Sequence, residues 1–240
     1  MWDAFRTCGR DDQQAAVAAD YIARNFTGKN VAIVQDKTPY GKGLADETQK
    51  AINAKGVKEV LYEGVNVGDK DFSALVSRLK AANVDLVYWG GMFTEGGLLV
   101  RQMRDQGVMA QMMSGDGIAV DQFAVIGGDA AVGTLMTFQT DPRNRPEAAA
   151  VVKKIKEGRN FDPQGYTLNS YAAVEIFKQA AEKAGSIDAK KMATAMNSGM
   201  SFKTVLGNVS FDKKGDITPS GFVMYSWKKG ADGKITYSQD

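Results

Sequence analysis

Between Asn30 and Gln139 the sequence alternates short apolar runs with longer stretches in which apolar residues recur every three or four positions. The short runs are Asn30–Val34, Val60–Val65, "VDLVYWGG", "AQMMSGDG" and "GTLMTFQ". Runs of this length without polar alternation read as strands buried on both faces. The stretches between them read as helices. Leu44–Ala54 is one, with Gly56 placed to end it in a left-handed cap. Phe72–Ala82 is another, with Phe72, Leu75, Val76 and Leu79 on one stripe, and "TEGGLLVRQMRDQG" is a third, closed by Gly107. Gln13–Phe26 leads in as a helix whose Val17, Tyr21 and Ile22 share a face. Strictly alternating strands and helices leave few options: an α/β fold, with a parallel sheet covered by helices on both faces and joined by right-handed crossovers.

The rhythm stops near residue 140. "TDPRNRPEAAAVVKKIKEG" is a proline-bearing link into a helix, with Pro146 suited to a first helical turn. "TLNSYAAVEIFKQAAEKAG" is a long helix closed by Gly185, and "DAKKMATAMNSG" is a further one. The remaining tail reads as short strands joined by Gly- and Lys-rich turns. The alternating pattern places a complete α/β unit over 5–140, and the tail, which has no such rhythm, reads as a partner segment for something already built.

Composition removes several function classes. The 240 residues contain no histidine and one cysteine, Cys8. That takes away the commonest general base and metal ligand and any disulfide within the chain. No metal-ligand spacing occurs. A net charge of +2, with both signs spread along the chain, gives no argument for nucleic acid. No apolar run reaches the roughly 18 residues a spanning helix needs. "MWDAFRTCGRDDQQ" lacks the parts of a secretion signal, which leaves open a cytoplasmic chain or one whose leader lies upstream.

In open parallel sheets, ligands bind beyond the carboxyl ends of the strands. Three strand ends carry unusual loops, "DKTPYGKG", "GGMFTEGG" and "SGDG". They bring Tyr40, Met92, Phe93 and Asp116 to one rim. "YGKGLADE" fits neither the phosphate-binding G-x-x-x-x-G-K-[ST] spacing nor the G-x-G-x-x-G fingerprint. Thr38–Lys42 reads as loop, and Gly41 and Gly43 as residues permitting a tight strand-to-helix turn. Taken alone, Asp116 is a turn residue bonding its own backbone. Its alternative role is to accept hydrogen bonds from a ligand ammonium. Tyr40 offers an apolar ring face with a polar tip. Convergence of the four on one rim favours ligand binding over the separate turn and core readings. A paired-carboxylate mechanism using Asp116 and Glu95 has no support in spacing.

The stretches "FRTCGRDDQQ", "VAIVQDKTPYGKGLADE", "GDKDFSALVSRLKAANVDLVYWGG", "RQMRDQG", "SGDGI", "SYAAVEIF" and "GNVSFDKKGD", in this order, resemble the periplasmic branched-chain amino acid binding proteins of ABC transporters. The resemblance runs from Phe5 to about Trp227 and implies Rossmann-like lobes that close on an amino acid. It implies that Tyr40 packs against the ligand and that Asp116, where Glu is more usual, binds the α-ammonium. Met92 stands where many relatives carry tyrosine, with Phe93 beside it, and Tyr166 matches an aromatic position near the ligand. The ligand is then a branched-chain or related small amino acid, held without cofactor or catalysis in a periplasmic protein that serves a membrane permease. The resemblance further implies that most of the family's N-terminal lobe is missing, leaving helices and short strands over 141–221 as a remnant of the other lobe and C-terminal strands over 222–240 that return to the first unit. Helix 166–184 is then expected to expose its apolar face, and the chain to form homo-oligomers or rearrange and to bind amino acids weakly or not at all. Cys8 is open to two readings, a buried small apolar residue or, as the resemblance to secreted proteins allows, a partner for a cysteine of the missing region. The competing reading is a Rossmann-like enzyme domain using a nucleotide or acyl substrate.

Overall fold

The computed structural model describes residues 3–219 and 221–240. In chain order the elements begin with α1 (Asp11–Asn25), β1 (Val31–Gln35), α2 (Pro39–Ala54), β2 (Glu59–Gly64), α3 (Ser73–Ala81) and β3 (Leu86–Gly90). They continue with α4 (Phe93–Asp105), β4 (Gln111–Ser114), α5 (Asp121–Gly127), β5 (Leu135–Gln139), α6 (Ala149–Arg159), α7 (Thr167–Ala184) and α8 (Ala189–Met196). Five strands follow: β6 (Phe202–Thr204), β7 (Gly207–Phe211), β8 (Ile217–Thr218), β9 (Phe222–Lys229) and β10 (Ile235–Gln239). Two compact units result. Asp11–Phe138 with Phe222–Asp240 forms one, and the described residues up to Arg10 with Gln139–Gly221 form the other.

The first of these, the sheet unit, carries seven strands in the order β10-β9-β5-β4-β3-β1-β2. β1 pairs in parallel with both β2 and β3, and β4 pairs in parallel with β3 and β5. This is the helix-covered α/β sheet that the alternating pattern predicts. Every residue of β1 and of β3 is buried, as continuous apolar strands in a two-faced sheet must be. Each Val or Ile so placed is worth about 1.5–3 kcal/mol over its exposed form. β9 and β10 form an antiparallel hairpin that stands next to β5. Trp227 and Tyr225, both fully buried, pack there with Phe123, Phe138 and Tyr237.

Two local expectations need correction. Thr38–Lys42 is not loop, because α2 begins at Pro39. Thr38 caps the helix by accepting from the Gly41 N–H at 2.9 Å, and Pro39 fills the first position, where a missing N–H costs nothing. Gly41 and Gly43 therefore sit inside the helix rather than making a sharp turn. On α1 the buried stripe is Gln14, Ala15, Ala18, Ala19 and Ile22. Val17 and Tyr21 are only partly buried, since α1 packs on α2 through its alanines. The sequence pattern also passes over α5, a seven-residue helix between glycine-rich turns.

In the other unit, α7 and α8 pack with a three-stranded antiparallel sheet, β6-β7-β8. Ile176, Ala180, Met196, Phe202, Val209, Phe211 and Ile217 form its main apolar cluster, and Phe5 meets Phe211 edge-on with ring centroids 5.0 Å apart. Buried Asp216 is held by Arg6 at 2.7 Å and Arg10 at 2.8 Å. The expected exposure of α7 is divided between its faces. Leu168, Ala172, Ile176 and Ala180 are buried, while Tyr171, Val174 and Phe177 are 41%, 67% and 56% exposed. Among the described residues, no helix is long and apolar enough to cross a membrane.

Candidate functional site

β2 and β3 lie on opposite sides of β1, so the direction of strand order reverses between β1 and β3. Chain segments leaving their carboxyl ends diverge there and open a crevice. The Asp36 N–H, just past β1, bonds the Gly90 carbonyl at the end of β3 at 3.0 Å, fixing the floor of that crevice. Asp36 itself is buried, and its Oδ1 accepts from the Thr38 N–H at 2.9 Å and from Thr38 Oγ1 at 2.6 Å. The carboxylate thus orients the threonine that starts α2.

Starting α2 at Pro39 puts Tyr40 in its first turn. The Tyr40 hydroxyl donates to Asp116 Oδ1 at 2.7 Å and accepts from the Gly117 N–H at 3.0 Å. Burial, and then the neighbouring Asp116 charge, push the Tyr40 phenol well above its usual range. It therefore stays a neutral donor at physiological pH. Asp116 opens a short 3-10 turn, Asp116–Ile118, directly after β4. A Cβ built on Gly117 would lie 2.4 Å from the Gly91 carbonyl and 2.9 Å from Tyr40 Oη. Segments from the ends of β1, β3 and β4 thus meet within van der Waals reach.

Met92 and Phe93 begin α4, Met92 as its N-terminal flanking residue with a side chain 44% exposed and Phe93 as the first helical residue, partly buried. The Trp89 indole donates to the Met92 carbonyl at 3.0 Å, tying this strand end down. Glu95 is buried, and its Oε1 accepts from the Gly68 N–H at 2.9 Å. It braces the loop after β2. Tyr166 belongs to the other unit, where it flanks the N-terminus of α7 and its carbonyl accepts from the Ser170 N–H.

Gln14 was not singled out by sequence reasoning. Its amide donates to Asp116 Oδ1 at 3.0 Å and accepts from the Asp116 N–H at 2.7 Å and from Thr137 Oγ1 at 2.8 Å. A polar residue on the otherwise small, apolar stripe of α1 was the available signal. Two of the concavities in the other unit bear on the choice of site. One of about 270 Å³ is lined in part by Thr7, Gln139, Arg145 and Asn208, and one of about 510 Å³ by Phe5, Ile176, Phe177, Ile187 and Met192. Neither includes Tyr40 or Asp116. The first gathers polar groups of its own, from Thr7, Gln139, Arg145 and Asn208, and the Tyr40–Asp116 network belongs to the sheet unit.

A carboxylate and a neutral phenol thus meet at the switch point of a parallel sheet, and residues 3–233 match the family described as "Periplasmic binding protein". The chain belongs to the periplasmic binding protein family. This is a family of solute-binding proteins, not of enzymes. Over 239 residues the chain is 57% identical to "Leu/Ile/Val-binding protein homolog 1" of Brucella melitensis biotype 1, which spans 100% of this chain and 64% of that relative. It is 47% identical over 237 residues to an "Amino acid binding protein" of Pseudomonas aeruginosa, covering 98% of this chain and 62% of the relative. The crystal structure of the leucine binding protein LivK from Thermotoga maritima superposes with a TM-score of 0.86 at 28% identity, covering 98% of this chain and 66% of that one. The chain therefore spans about 64% of the length of such curated periplasmic relatives.

Proposed function

We propose that this chain is the amino acid capturing part of a periplasmic component of an ABC transporter, and that its ligand is a branched-chain or closely related amino acid. The observation that carries the reading is the Tyr40–Asp116 pair at the switch point, joined at 2.7 Å. Asp116 takes the ligand ammonium through a charge-assisted bond, and the neutral Tyr40 holds the carboxylate in place while its ring offers an apolar face. Met92 and Phe93 supply apolar surface at the neighbouring strand end, and the exposed Met92 thioether shapes the pocket for an aliphatic side chain. Tyr166 carries its ligand-contact role from the family resemblance alone. No bond is made or broken, because release to a membrane permease follows reversible capture. Two relatives support the reading by their names, one a Leu/Ile/Val-binding protein homologue and one a leucine binding protein. A second copy of the chain is a further partner, through the exposed Tyr171, Val174 and Phe177 of α7. Exposed apolar surface of this kind marks interfaces.

Native mass spectrometry with and without an equimolar mixture of leucine, isoleucine, valine and γ-aminobutyrate tests ligand and assembly together. The expected result is an amino acid mass retained by the wild-type chain and lost in Asp116→Asn. Retention by the variant, or no retention by the wild type, removes the reading. A wild-type chain that stays monomeric at tens of micromolar removes the second-copy partner.

A further inference from the structure

Gln14 is fully buried on α1 among Ala15, Ala18 and Ile22. A primary amide in such a place is costly unless both of its ends are satisfied. Both ends are used, and both on the same residue: the oxygen takes the Asp116 N–H and the nitrogen donates to the Asp116 carboxylate. A backbone N–H can only donate, so the orientation of the amide is determined, with oxygen toward the backbone and nitrogen toward the carboxylate. Thr137 Oγ1, from β5, adds a second donor to the same oxygen. The approach is tight. A Cβ on Gly115 would lie 2.6 Å from Gln14 Oε1 and 2.5 Å from Leu44 Cδ2, so a side chain there would have to displace the amide or the Leu44 methyl.

We propose that Gln14 is the positioning residue of the site: its amide clamps Asp116 at backbone and carboxylate together, and so fixes where the negative charge meets a primary ammonium group. The inference rests on the reading of Asp116 given above. It has a physical motive. An aspartate has one methylene fewer than glutamate, so its reach is set almost wholly by the backbone that carries it. A clamp on that backbone is a clamp on the charge. Gln14 also donates to Asp116 Oδ1, as the Tyr40 hydroxyl does. Tyr88 of β3 is a buried phenol that burial, more than the charges of Asp116 and of Asp11 on α1, pushes up and keeps neutral.

The test uses the full chain with Gln14→Met, which keeps the shape and loses the polar ends, and Gln14→Glu, which keeps the acceptor and sets a second carboxylate against Asp116. In the absence of ligand, hydrogen exchange at the Asp116 amide, whose N–H the Gln14 oxygen accepts, reads the clamp directly. Gln14→Met should speed that exchange by about tenfold or more, and Gln14→Glu, which keeps the acceptor, should restore most of the protection, with β1 amides unchanged in both. With ligand, leucine is compared with 4-methylpentanoate, which lacks the ammonium. Gln14→Met should weaken leucine about tenfold and leave 4-methylpentanoate unchanged. An Asp116 amide whose protection is unchanged in Gln14→Met overturns the inference. So does an equal loss for both ligands, which would mark a residue that only supports the fold. A wild-type chain that binds no leucine would count against the ligand reading of Asp116, and the positioning role would then stand or fall with the amide exchange.

Discussion

The two units hold themselves together by different means. In the sheet unit, β1 and β3 are buried along their whole length, and their ends close on one another through glycines. In the other unit, α6 has no buried residue, the sheet has three short strands, and an aspartate between two arginines takes part in the packing. Backbone proximity in the first leaves polar side chains free to be arranged at strand ends. The second uses its charged residues as structure. The contrast accounts for the place of the polar Tyr40–Asp116–Gln14 network, since a binding geometry is only as precise as the frame that carries it.

The largest expected effect tests the close-packed frame. A Cβ on Gly41 would fall 2.2 Å from Asp36 Oδ1 and 2.5 Å from the Gly90 carbonyl. The second contact is with backbone and cannot be relieved by rotating a side chain. Gly41→Ala should gain about 1 kcal/mol of helix propensity and still lose about 3 kcal/mol net, at the upper end of overpacking costs. Native-state hydrogen exchange should show that loss at β1 and β3 amides and leave β7 amides unchanged. An equal loss in β7 would mean the two units open together, and the contrast would fail.

The mirror experiment is smaller. Asp216→Ala leaves Arg6 and Arg10 without their shared carboxylate. Removing one member of a buried ion pair costs several kcal/mol. The arginine side chains, however, are 46% and 31% exposed and regain much of their hydration. The expected loss is about 2 kcal/mol, read as reduced exchange protection in β7 and α7 while β1 and β3 keep theirs.

The same contrast governs what the sequence could reveal. β1 and β3 are legible because strands buried on both faces must be apolar without a break. The Phe72, Leu75, Val76 and Leu79 stripe is legible because its burial follows the helical period. The start of α2 is misread because Pro-Tyr-Gly-Lys-Gly has the composition of a loop, although a threonine cap and a proline in first position override it. Gln14 is invisible as a partner of Asp116 because the contact joins residues 102 apart in the chain, and no local pattern records such a distance. Tyr40 and Asp116 are candidates on sequence grounds because both follow strands. Their direct hydrogen bond depends on the order of those strands in the sheet, which periodicity does not encode.

The smallest effect separates the polar network from the frame beneath it. Tyr40→Phe removes the hydrogen bond to the partly exposed Asp116 carboxylate and the one accepted from the Gly117 N–H, a combined loss of about 1 kcal/mol at neutral pH. The phenol of Tyr40 is raised in the folded chain by burial and by Asp116. Its neutral form is therefore favoured on folding, and the associated stability is complete below the unfolded value near 10. As pH rises past that value the unfolded phenol ionises while the folded one resists, so stability is lost towards the folded pKa. The phenylalanine variant has no such group. Tyr62 and Tyr88, also raised in the sheet unit, are present in both proteins and cancel in the difference. Urea unfolding of the two proteins should thus differ by about 1 kcal/mol from pH 6 to 9, and the gap should close above pH about 10. A gap that stays constant into alkaline solution would show that Tyr40 acts only as packing, and that the site's polar geometry belongs to Gln14 and the frame alone.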